Sequence, residues 1–286
     1  MHFGKVLIFG VGLIGASFAR GLKAAHAVDE IIGFGRTPKS LKAAYDLGII
    51  DEVGINPGAD VREADLILVA TPVGQMPEIF ARIAPYLGEH TIVTDAGSTK
   101  GDVVAAAREA FGDKIRQFVP GHPIAGAETS GAAASRVDLY QGRKVVLTPL
   151  LENAVEDIEK VKRAWELCGA DVRILDAETH DRVFAAVSHL PHLLAFALVD
   201  EFARRPNGDQ LFDYAAAGFR DFTRIAGGHP EMWRDISLAN RTALLAELDR
   251  YSAALMRLRQ ALVNSDGEAL ASIYGNARDA RQNWSH

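Results

Sequence analysis

Residues 5–22 read Lys5-Val-Leu-Ile-Phe-Gly-Val-Gly-Leu-Ile-Gly-Ala-Ser-Phe-Ala-Arg-Gly-Leu22. An apolar run typical of a buried parallel strand leads into the pattern Gly10-x-Gly12-x-x-Gly15, and a helical pattern follows. In a strand-turn-helix of this kind, Gly10 permits the tight turn, Gly12 lets the backbone approach a pyrophosphate, and Gly15 lets the helix pack closely on the sheet. The N–H groups at the start of the helix would then face the phosphates. The segment therefore predicts a dinucleotide-binding site.

The composition bounds the class of protein. With 286 residues, 48% of them hydrophobic, the chain is long enough for one large or two ordinary domains. No apolar run reaches the ~18 residues that span a bilayer, and the first strand follows Met1 too closely for a signal peptide, so we expect a cytoplasmic protein with no membrane contact. The formal charge of −6 argues against nucleic acid as a partner. The single cysteine, Cys168, excludes an intrachain disulfide framework and is expected to be buried and structural.

Strands and helices alternate up to about residue 176. Strands are predicted near residues 6–9, 30–34, 65–70, 91–95, 117–122, 144–148 and 170–175. The alternation predicts an α/β, Rossmann-type fold with a doubly wound, largely parallel sheet. We assign residues 1–176 to a dinucleotide-binding domain.

The remainder of the chain has helical periodicity and no convincing strand. We predict that residues 177–286 form an all-α domain that binds substrate and forms a dimer. Residues 183–199 are apolar nearly all round, a pattern that a helix sustains only when it is buried on every side. A second subunit is expected to cover this helix, so the protein is predicted to be a homodimer.

The end of the second strand indicates which dinucleotide binds. Gly35, Arg36 and Thr37 stand where NAD-binding proteins usually carry an acidic residue. A guanidinium pairs with the 2′-phosphate of NADP, and the Thr37 hydroxyl can add a hydrogen bond, so we expect NADP to be preferred. NAD stays usable if Arg36 is a solvated loop residue or stacks on adenine. Four more residues of the glycine loop and of the third strand's end are assigned to the cofactor: Leu13, Ile14, Thr71 and Pro72.

Polar residues concentrate in segments 94–100 and 120–128, after two of the predicted strands. Ligands of open α/β sheets bind outside the carboxyl ends of the strands, so Ser98 and His122 are placed to face a substrate. A plain alternative is that His122 is a turn histidine satisfied by backbone groups.

The helical half has two further polar segments, 188–192 and 218–224. His189 and His192 could be core histidines, and Arg220 and Arg224, four residues apart, could belong to a salt-bridge network. No carboxylate or cysteine stands at ligand spacing beside the two histidines, so we predict no metal site.

Five segments together resemble one family. They are Gly10-Val-Gly-Leu-Ile-Gly15, Asp95-Ala-Gly-Ser-Thr-Lys100, Gly121-His-Pro-Ile-Ala-Gly126, Ser188-His-Leu-Pro-His192 and Gly218-Phe-Arg-Asp-Phe-Thr-Arg-Ile225. In this order they are similar to the prephenate/arogenate dehydrogenase family of tyrosine biosynthesis, over residues 5–260. The resemblance implies a dinucleotide domain and a dimer-forming helical domain that close over a cyclohexadienol, which the enzyme oxidises and decarboxylates.

The resemblance also implies roles for single residues. His122 matches the histidine that takes the proton of the ring hydroxyl, and Ser98 matches the serine that orients that hydroxyl and histidine. Arg224 matches the arginine that binds a substrate carboxylate, and His192 matches a histidine that contacts substrate. Six residues of the matching segments are assigned supporting or gating roles at the substrate: Ser188, His189, Arg220, Asp221, Glu128 and Trp233.

Two positions depart from the family pattern. Gly35-Arg36 replaces the acidic residue of NAD-type members, and Ala127 lacks the hydroxyl that some members carry there. The chain is shorter than members with a fused mutase or regulatory domain, so we expect a monofunctional enzyme. Prephenate is the expected substrate, and arogenate, or both, is the alternative.

Two other functions are compatible with a Rossmann domain followed by helices. A β-hydroxyacid dehydrogenase would usually carry a lysine on the buried helix, where this chain has Ser188, His189 and His192. A regulator that senses NADP without turnover would need no proton acceptor beside the nicotinamide.

Overall fold

The computed structural model describes residues 1–126, 129 and 131–284. Its first layer is a six-stranded parallel sheet in the order β3-β2-β1-β4-β5-β6. The strands are β1 (Phe3–Phe9), β2 (Val28–Phe34), β3 (Glu52–Val53), β4 (Leu66–Val69), β5 (Ile92–Asp95) and β6 (Phe118–Val119). The strand order reverses between β1 and β4, and ligands of such sheets bind in the crevice at that point. The predicted doubly wound parallel sheet is confirmed.

Helices cover both faces of this sheet. They are α1 (Leu13–Ala24), α2 (Pro38–Asp46), α3 (Pro57–Glu63), α4 (Met76–Ile83) and α5 (Gly101–Phe111), with short 3-10 turns at Val73–Gln75, Ala84–Tyr86 and Gly112–Gln117. Alternate residues of β1 enter different cores: Val6 and Ile8 join one cluster, and Leu7 and Phe9 join the other. Burial on both faces explains why the strand is a continuous apolar run rather than an alternating one.

The glycine loop has the backbone that its sequence predicts. Gly10 has a φ of +96°, and a Cβ there would lie 2.6 Å from the carbonyl oxygen of Ala70. A Cβ on Gly15 would lie 2.3 Å from the carbonyl oxygen of Gly10, so only glycine allows α1 to approach β1 this closely. A Cβ on Gly12 would meet nothing within 4 Å.

A second, three-stranded sheet follows, in the order β7-β8-β9. It contains β7 (Gly121–Pro123), β8 (Lys144–Leu147) and β9 (Asp171–Ile174), and α6 (Val155–Leu167) connects the last two. The predicted strand at 117–122 is therefore wrong as a single strand: it divides at Pro120 into β6, which pairs with β5, and β7, which runs antiparallel to β8. Proline has no N–H for the ladder, which favours the change of sheet at this residue.

Cys168 lies at the carboxyl end of α6 and is buried. Its side chain packs against Gly21 of α1, where a Cβ would come within 2.6 Å of the sulfur. Burial raises the pKa of the Cys168 thiol to about 12, which keeps it protonated. These observations agree with the predicted structural role.

From residue 177 onward the described chain is helical, as predicted. The helices are α7 (Ala177–Phe184), α8 (Leu190–Ala203), α9 (Gly208–Asp213), α10 (Ala217–Thr223), α11 (Pro230–Ala239), α12 (Arg241–Val263) and α13 (Gly267–Asn283). A π-helical turn, Ala185–His189, joins α7 to α8, and a 3-10 turn, Arg224–Gly227, follows α10. The chain packs as two compact units, residues 1–240 and residues 241–286. The predicted domain boundary at 176 falls between β9 and α7 and stays a prediction.

The continuous helix Ala177–Ala203 is long and apolar enough to cross a membrane, judged by length and composition alone. The expectation that no stretch of the chain is long and apolar enough to span a bilayer is therefore wrong. It considered only uninterrupted apolar runs, whereas this helix contains a few polar residues and still has a high mean hydropathy. Only 28% of its most apolar 18-residue stretch is buried. Most of the other residues of that stretch are only partly buried.

Candidate active site

The amino end of α1 is open toward the crevice of the parallel sheet. Its N-cap residue, Gly12, provides no side-chain cap, so the N–H groups of Leu13 and Ile14 keep the free donors of a helix start. After β4, the hydroxyl oxygen of Thr71 is buried and has no hydrogen-bond partner among the described residues, and Pro72 follows it. Free helix-terminal donors, an orphaned hydroxyl and open space at Gly12 fit the pyrophosphate of a dinucleotide.

Gly35, Arg36 and Thr37 are exposed at the carboxyl end of β2. With the amide of Gln75 turned to satisfy both groups, its oxygen accepts from Nη1 and Nη2 of Arg36, each at 3.1 Å. Thr37 is the N-cap residue of α2, but its hydroxyl makes no capping hydrogen bond and stays free for a ligand. Gln75 was not predicted, because nothing in the local sequence marks it as a neighbour of Arg36.

A buried ion pair lies at the carboxyl end of β5. Asp95, the last residue of β5, pairs with Lys100, and both side chains are fully buried. Asp95 Oδ1 accepts from the Gly121 N–H at 3.0 Å, and Lys100 Nζ donates to the Gly121 carbonyl at 2.7 Å. Asp95 also accepts from the Gly97 N–H at 2.7 Å. Both backbone polar groups of the residue before His122 are therefore fixed by this pair, to which the sequence analysis assigned no role.

His122 lies on β7 and contacts two residues of α7, His180 and Phe184. Its Nδ1 lies 2.9 Å from Nε2 of His180, and its ring lies edge-on to Phe184 at 4.9 Å between centroids. Burial holds the pKa of His122 well below its ordinary value of 6.5; the repulsion that His180 and His189 would exert if protonated, and the positive charge of Lys100, act in the same direction. His122 is thus a neutral imidazole near pH 7, which can accept a proton.

Two residues behind His122 were not predicted. His180 Nδ1 lies 2.8 Å from Oδ1 of Asp181, and the His180 side chain is fully buried. Asp181 accepts from the backbone N–H groups of Lys100 and Gly101, each at 2.8 Å. The available signal was the His-Asp dipeptide one turn into a helix that Asp176 caps, which the sequence analysis passed over.

Ser98 lies in the loop between β5 and α5 and is partly exposed. No hydrogen bond joins it to His122 in the part of the chain that the structure describes. His189 is 2% exposed and lies near the Ser98 backbone, and Asn240 Nδ2 lies 3.1 Å from its Nδ1. Burial lowers the pKa of His189 to about 4. These contacts indicate that His189 is a buried structural residue that supports the loop of Ser98.

A second polar cluster is built on α8 and α11. The rings of His192 and Trp233 stack at 3.6 Å between centroids, with an angle of 22° between their planes. His192 Nδ1 donates to the carbonyl of Ser188 at 2.9 Å. Burial lowers the pKa of His192, the hydrogen bond to Ser188 opposes this shift, and the charge of Arg224 lowers the pKa further. The structure thus brings Arg224 into the electrostatic range of His192.

The remaining predicted residues are placed as follows. Arg220 and Asp221 are exposed on α10, and within the described residues neither has a hydrogen bond or an ion pair to His122 or His192. Glu128 and Ala127 lie outside the described residues. Among those residues, no group of three or more histidine, cysteine or acidic side chains is arranged to hold a metal ion.

The chain matches two parts of one family. Residues 18–174 match the nucleotide-binding domain of prephenate dehydrogenase, and residues 176–276 match its dimerization domain. The cyclohexadienyl dehydrogenase of Zymomonas mobilis is 35% identical over 281 residues, which span 98% of this chain and 95% of that protein. The prephenate dehydrogenase of Bacillus subtilis is 35% identical over 96% of this chain and 75% of its own length.

A similar solved structure is prephenate dehydrogenase from A. aeolicus in complex with hydroxyphenyl propionate and NAD+. It superposes with a TM-score of 0.92 at 38% identity and covers 99% of this chain and 98% of its own. Its bound NAD+ agrees with the presence of an NAD(P)-binding domain here.

The lowered histidine pKa values predict acid instability. Because His122, His180, His189 and His192 have folded-state pKa values below 6.5, the unfolded chain binds more protons as the pH falls through that value, and the free energy of unfolding decreases. For His189 alone, with a folded pKa of about 4, we expect a loss of about 1–2 kcal/mol between pH 7.5 and pH 5. Urea unfolding at fixed protein concentration measures it.

His189→Gln should flatten this pH dependence by that amount. The matched control is His90→Gln, because His90 is exposed. Equal slopes for His189→Gln and the parent would contradict the assignment of His189 as a buried neutral histidine.

Proposed function

Because the chain belongs to the prephenate dehydrogenase family, we propose that it oxidises and decarboxylates prephenate to 4-hydroxyphenylpyruvate, with hydride transfer to NAD(P), in tyrosine biosynthesis. One observation carries the proposal: a neutral histidine, His122, follows Gly121, which is bound to Asp95 at the carboxyl end of β5, and its Nδ1 is held by His180. A hydroxyl oxidation needs such a proton acceptor next to the nicotinamide.

The reaction divides the work between cofactor and protein. The nicotinamide, when bound, supplies the acceptor for the hydride. The ring carbinol loses its C–H hydrogen as that hydride, and His122 takes the hydroxyl proton. The bond from the ring to its carboxylate then breaks, its electron pair aromatises the ring, CO₂ leaves, and the ring oxygen recovers a proton. Ser98, in the neighbouring loop, is proposed to orient the hydroxyl and His122.

The second cluster is proposed to bind the substrate's carboxylates. Arg224 carries a permanent charge and a fork that matches a carboxylate, and it lies within electrostatic range of His192. The stacked rings of His192 and Trp233 are proposed to line one side of this site. Supporting roles are proposed for five further residues: Ser188, His189, Arg220, Asp221 and Glu128. A guanidinium that held the ring carboxylate would stabilise it against loss of CO₂, so the role of Arg224 is binding.

Prephenate and arogenate differ only in the substrate's side chain. Prephenate carries a keto group where arogenate carries an ammonium, which a nearby carboxylate would favour. Asp221 is exposed on α10 with no described contact to the histidine sites. We propose prephenate, with arogenate or dual use as the alternative. The relatives named above are dehydrogenases, which does not favour a regulator without turnover.

NADP is the proposed preferred dinucleotide. Arg36 is exposed at the end of β2, and Gln75 holds its guanidinium without neutralising its charge. The free hydroxyl of Thr37 offers a second donor at the same place. No acidic side chain stands at positions 35 to 37 to repel a 2′-phosphate.

The first test is an assay of prephenate and arogenate, each with NAD and NADP, followed by the absorbance of the reduced cofactor. His122→Asn should lower kcat by about 10²–10⁴-fold, because a positioned general base contributes that much, and should leave cofactor affinity unchanged. The exposed residue His90 provides the control, His90→Asn. No turnover in any of the four combinations would overturn the function, and full activity of His122→Asn would overturn the mechanism.

Arg36→Ala tests the cofactor preference. Loss of a charge-assisted hydrogen bond of about 1.5–3 kcal/mol should reduce kcat/KM with NADP by about 10–100-fold. Activity with NAD serves as the internal control and should change by less than about threefold. An equal loss with both dinucleotides would mean that Arg36 does not read the 2′-phosphate.

Arg224→Ala tests the carboxylate site. The same loss of a charged hydrogen bond should raise the substrate KM by about 10–100-fold and change kcat much less. Arg163→Ala is the control, because Arg163 is an exposed arginine on α6 that pairs with Glu166. An unchanged KM would remove Arg224 from the substrate site.

A homodimer is proposed through the helical half. Large apolar side chains are exposed there on several helices: Val187, Phe222, Leu238, Leu255, Met256, Leu262 and Val263. A second copy would bury them and the apolar helix Ala177–Ala203, and it would leave a soluble protein of the cytoplasm. Light scattering should give a mass of about 62 kDa, twice 30.9 kDa. A monomer, or a protein that needs detergent to stay in solution, would contradict this.

A further inference from the structure

His180 is fully buried and Asp181 is largely buried, and the reaction described for His122 uses neither of them. They lie on α7, while His122 lies on β7 and the backbone groups that hold Asp181 lie at the start of α5. Together they form a chain of contacts, Asp181 to His180 to His122, with steps of 2.8 and 2.9 Å. Each of these groups has a limited set of donors and acceptors, which determines where the protons lie.

Asp181 can act only as an acceptor in this chain. Its Oδ1 accepts from the Lys100 N–H and its Oδ2 accepts from the Gly101 N–H. Although burial raises the pKa of Asp181, the hydrogen bonds from His180, Gly101 and Lys100 outweigh it, and the pKa falls below its ordinary value. The carboxylate is therefore ionised, and the hydrogen between it and His180 belongs to His180 Nδ1.

The tautomer of His180 then sets the tautomer of His122. Burial lowers the pKa of His180, so the ring is neutral and carries one hydrogen, which is on Nδ1. Its Nε2 presents a lone pair to His122 Nδ1 at 2.9 Å, and His122 must donate there. A neutral His122 that donates from Nδ1 has its free lone pair on Nε2.

We propose that His180 and Asp181 are positioning residues that fix His122 as the Nδ1–H tautomer, so that its Nε2 accepts the hydroxyl proton of the substrate. The inference rests on the proposed function for the identity of that hydroxyl. In the step, the O–H bond breaks and an N–H bond forms at Nε2, while the Nδ1 hydrogen stays on His122. His180 and Asp181 gain and lose no proton.

The same contacts stabilise the product of that proton transfer. Once His122 is an imidazolium, its hydrogen bond to His180 becomes charge-assisted, and such bonds are roughly twice as strong as neutral ones. Asp181 places a negative charge one residue further along the chain. The interaction thus strengthens as the proton moves, which is the requirement for lowering a barrier rather than only binding substrate.

The alternative is that His180 only fills space between β7 and α7. Two substitutions separate the two roles. His180→Leu fills the space but offers no acceptor to His122 Nδ1, whereas His180→Gln places an amide oxygen near the position of Nε2. A structural role predicts similar activities for the two variants, and a positioning role predicts that glutamine restores activity.

We expect His180→Leu to lower kcat by about 10²-fold or more, within the range of a misdirected general base. The substrate KM and the cofactor dissociation constant should change by less than about threefold. His180→Gln should recover at least about tenfold of the lost kcat. The proposal would be overturned if the kcat of His180→Leu were within threefold of that of the parent. It would also be overturned if His180→Leu and His180→Gln lost kcat equally while both unfolded at the same temperature as the parent.

The parent enzyme provides a test that needs no variant to be active. Nitrogen-15 NMR of histidine-labelled protein at pH 7.5 separates protonated from unprotonated ring nitrogens, and His122→Asn and His180→Gln assign the signals. The expected spectrum has hydrogens on Nδ1 of both His122 and His180. A hydrogen on Nε2 of His122 would overturn the proposal even if His180→Leu failed to fold.

Failure of the proposed function would have a different signature. In that case the parent would not turn over prephenate or arogenate, while the NMR spectrum would still report the tautomer of His122.

Discussion

The buried pair of Asp95 and Lys100 is the contact on which the site depends. It joins the two sheets, because Asp95 ends β5 of the first sheet and both side chains bind the backbone of Gly121 in the second. Removing one partner of a fully buried ion pair leaves an uncompensated charge and costs about 3–5 kcal/mol. Here other hydrogen bonds of the two side chains go to the backbone groups of Gly97 and Gly121, so the pair fixes the position of the backbone just before His122.

The loop between Asp95 and Lys100 also positions a residue of α7. At its end, the backbone N–H groups of Lys100 and Gly101 bind the carboxylate of Asp181. They lie at the start of α5, where the helix dipole favours a negative charge. One loop therefore positions His122 in two ways. It holds the backbone of the preceding residue, Gly121, and it holds Asp181, which binds His180, the partner of His122. His122 and Asp181 lie far apart in the sequence, but both are held by residues 95–101.

The sequence predicted what periodicity and glycine geometry determine: the strand-turn-helix at Gly10, the parallel sheet and the helical second half. It did not predict the break at Pro120, because the apolar run continues through it and only pairing decides which sheet a residue joins. His122 was found from its place after a strand. His180 and Asp181 were not, since their task depends on a contact between β7 and α7 that local sequence does not encode.

The charges around His122 explain how its proton affinity can be low in the substrate-free protein and higher once substrate is bound. Burial above all, with the positive charge of Lys100, keeps the pKa of His122 low, so the ring is unprotonated at neutral pH. In the proposed reaction the substrate brings two carboxylates into the same low-dielectric space, and nearby negative charge favours an imidazolium. The proton affinity of His122 therefore rises only when substrate is bound. With Nδ1 bound to His180, that added affinity appears at Nε2, the nitrogen proposed to accept the hydroxyl proton.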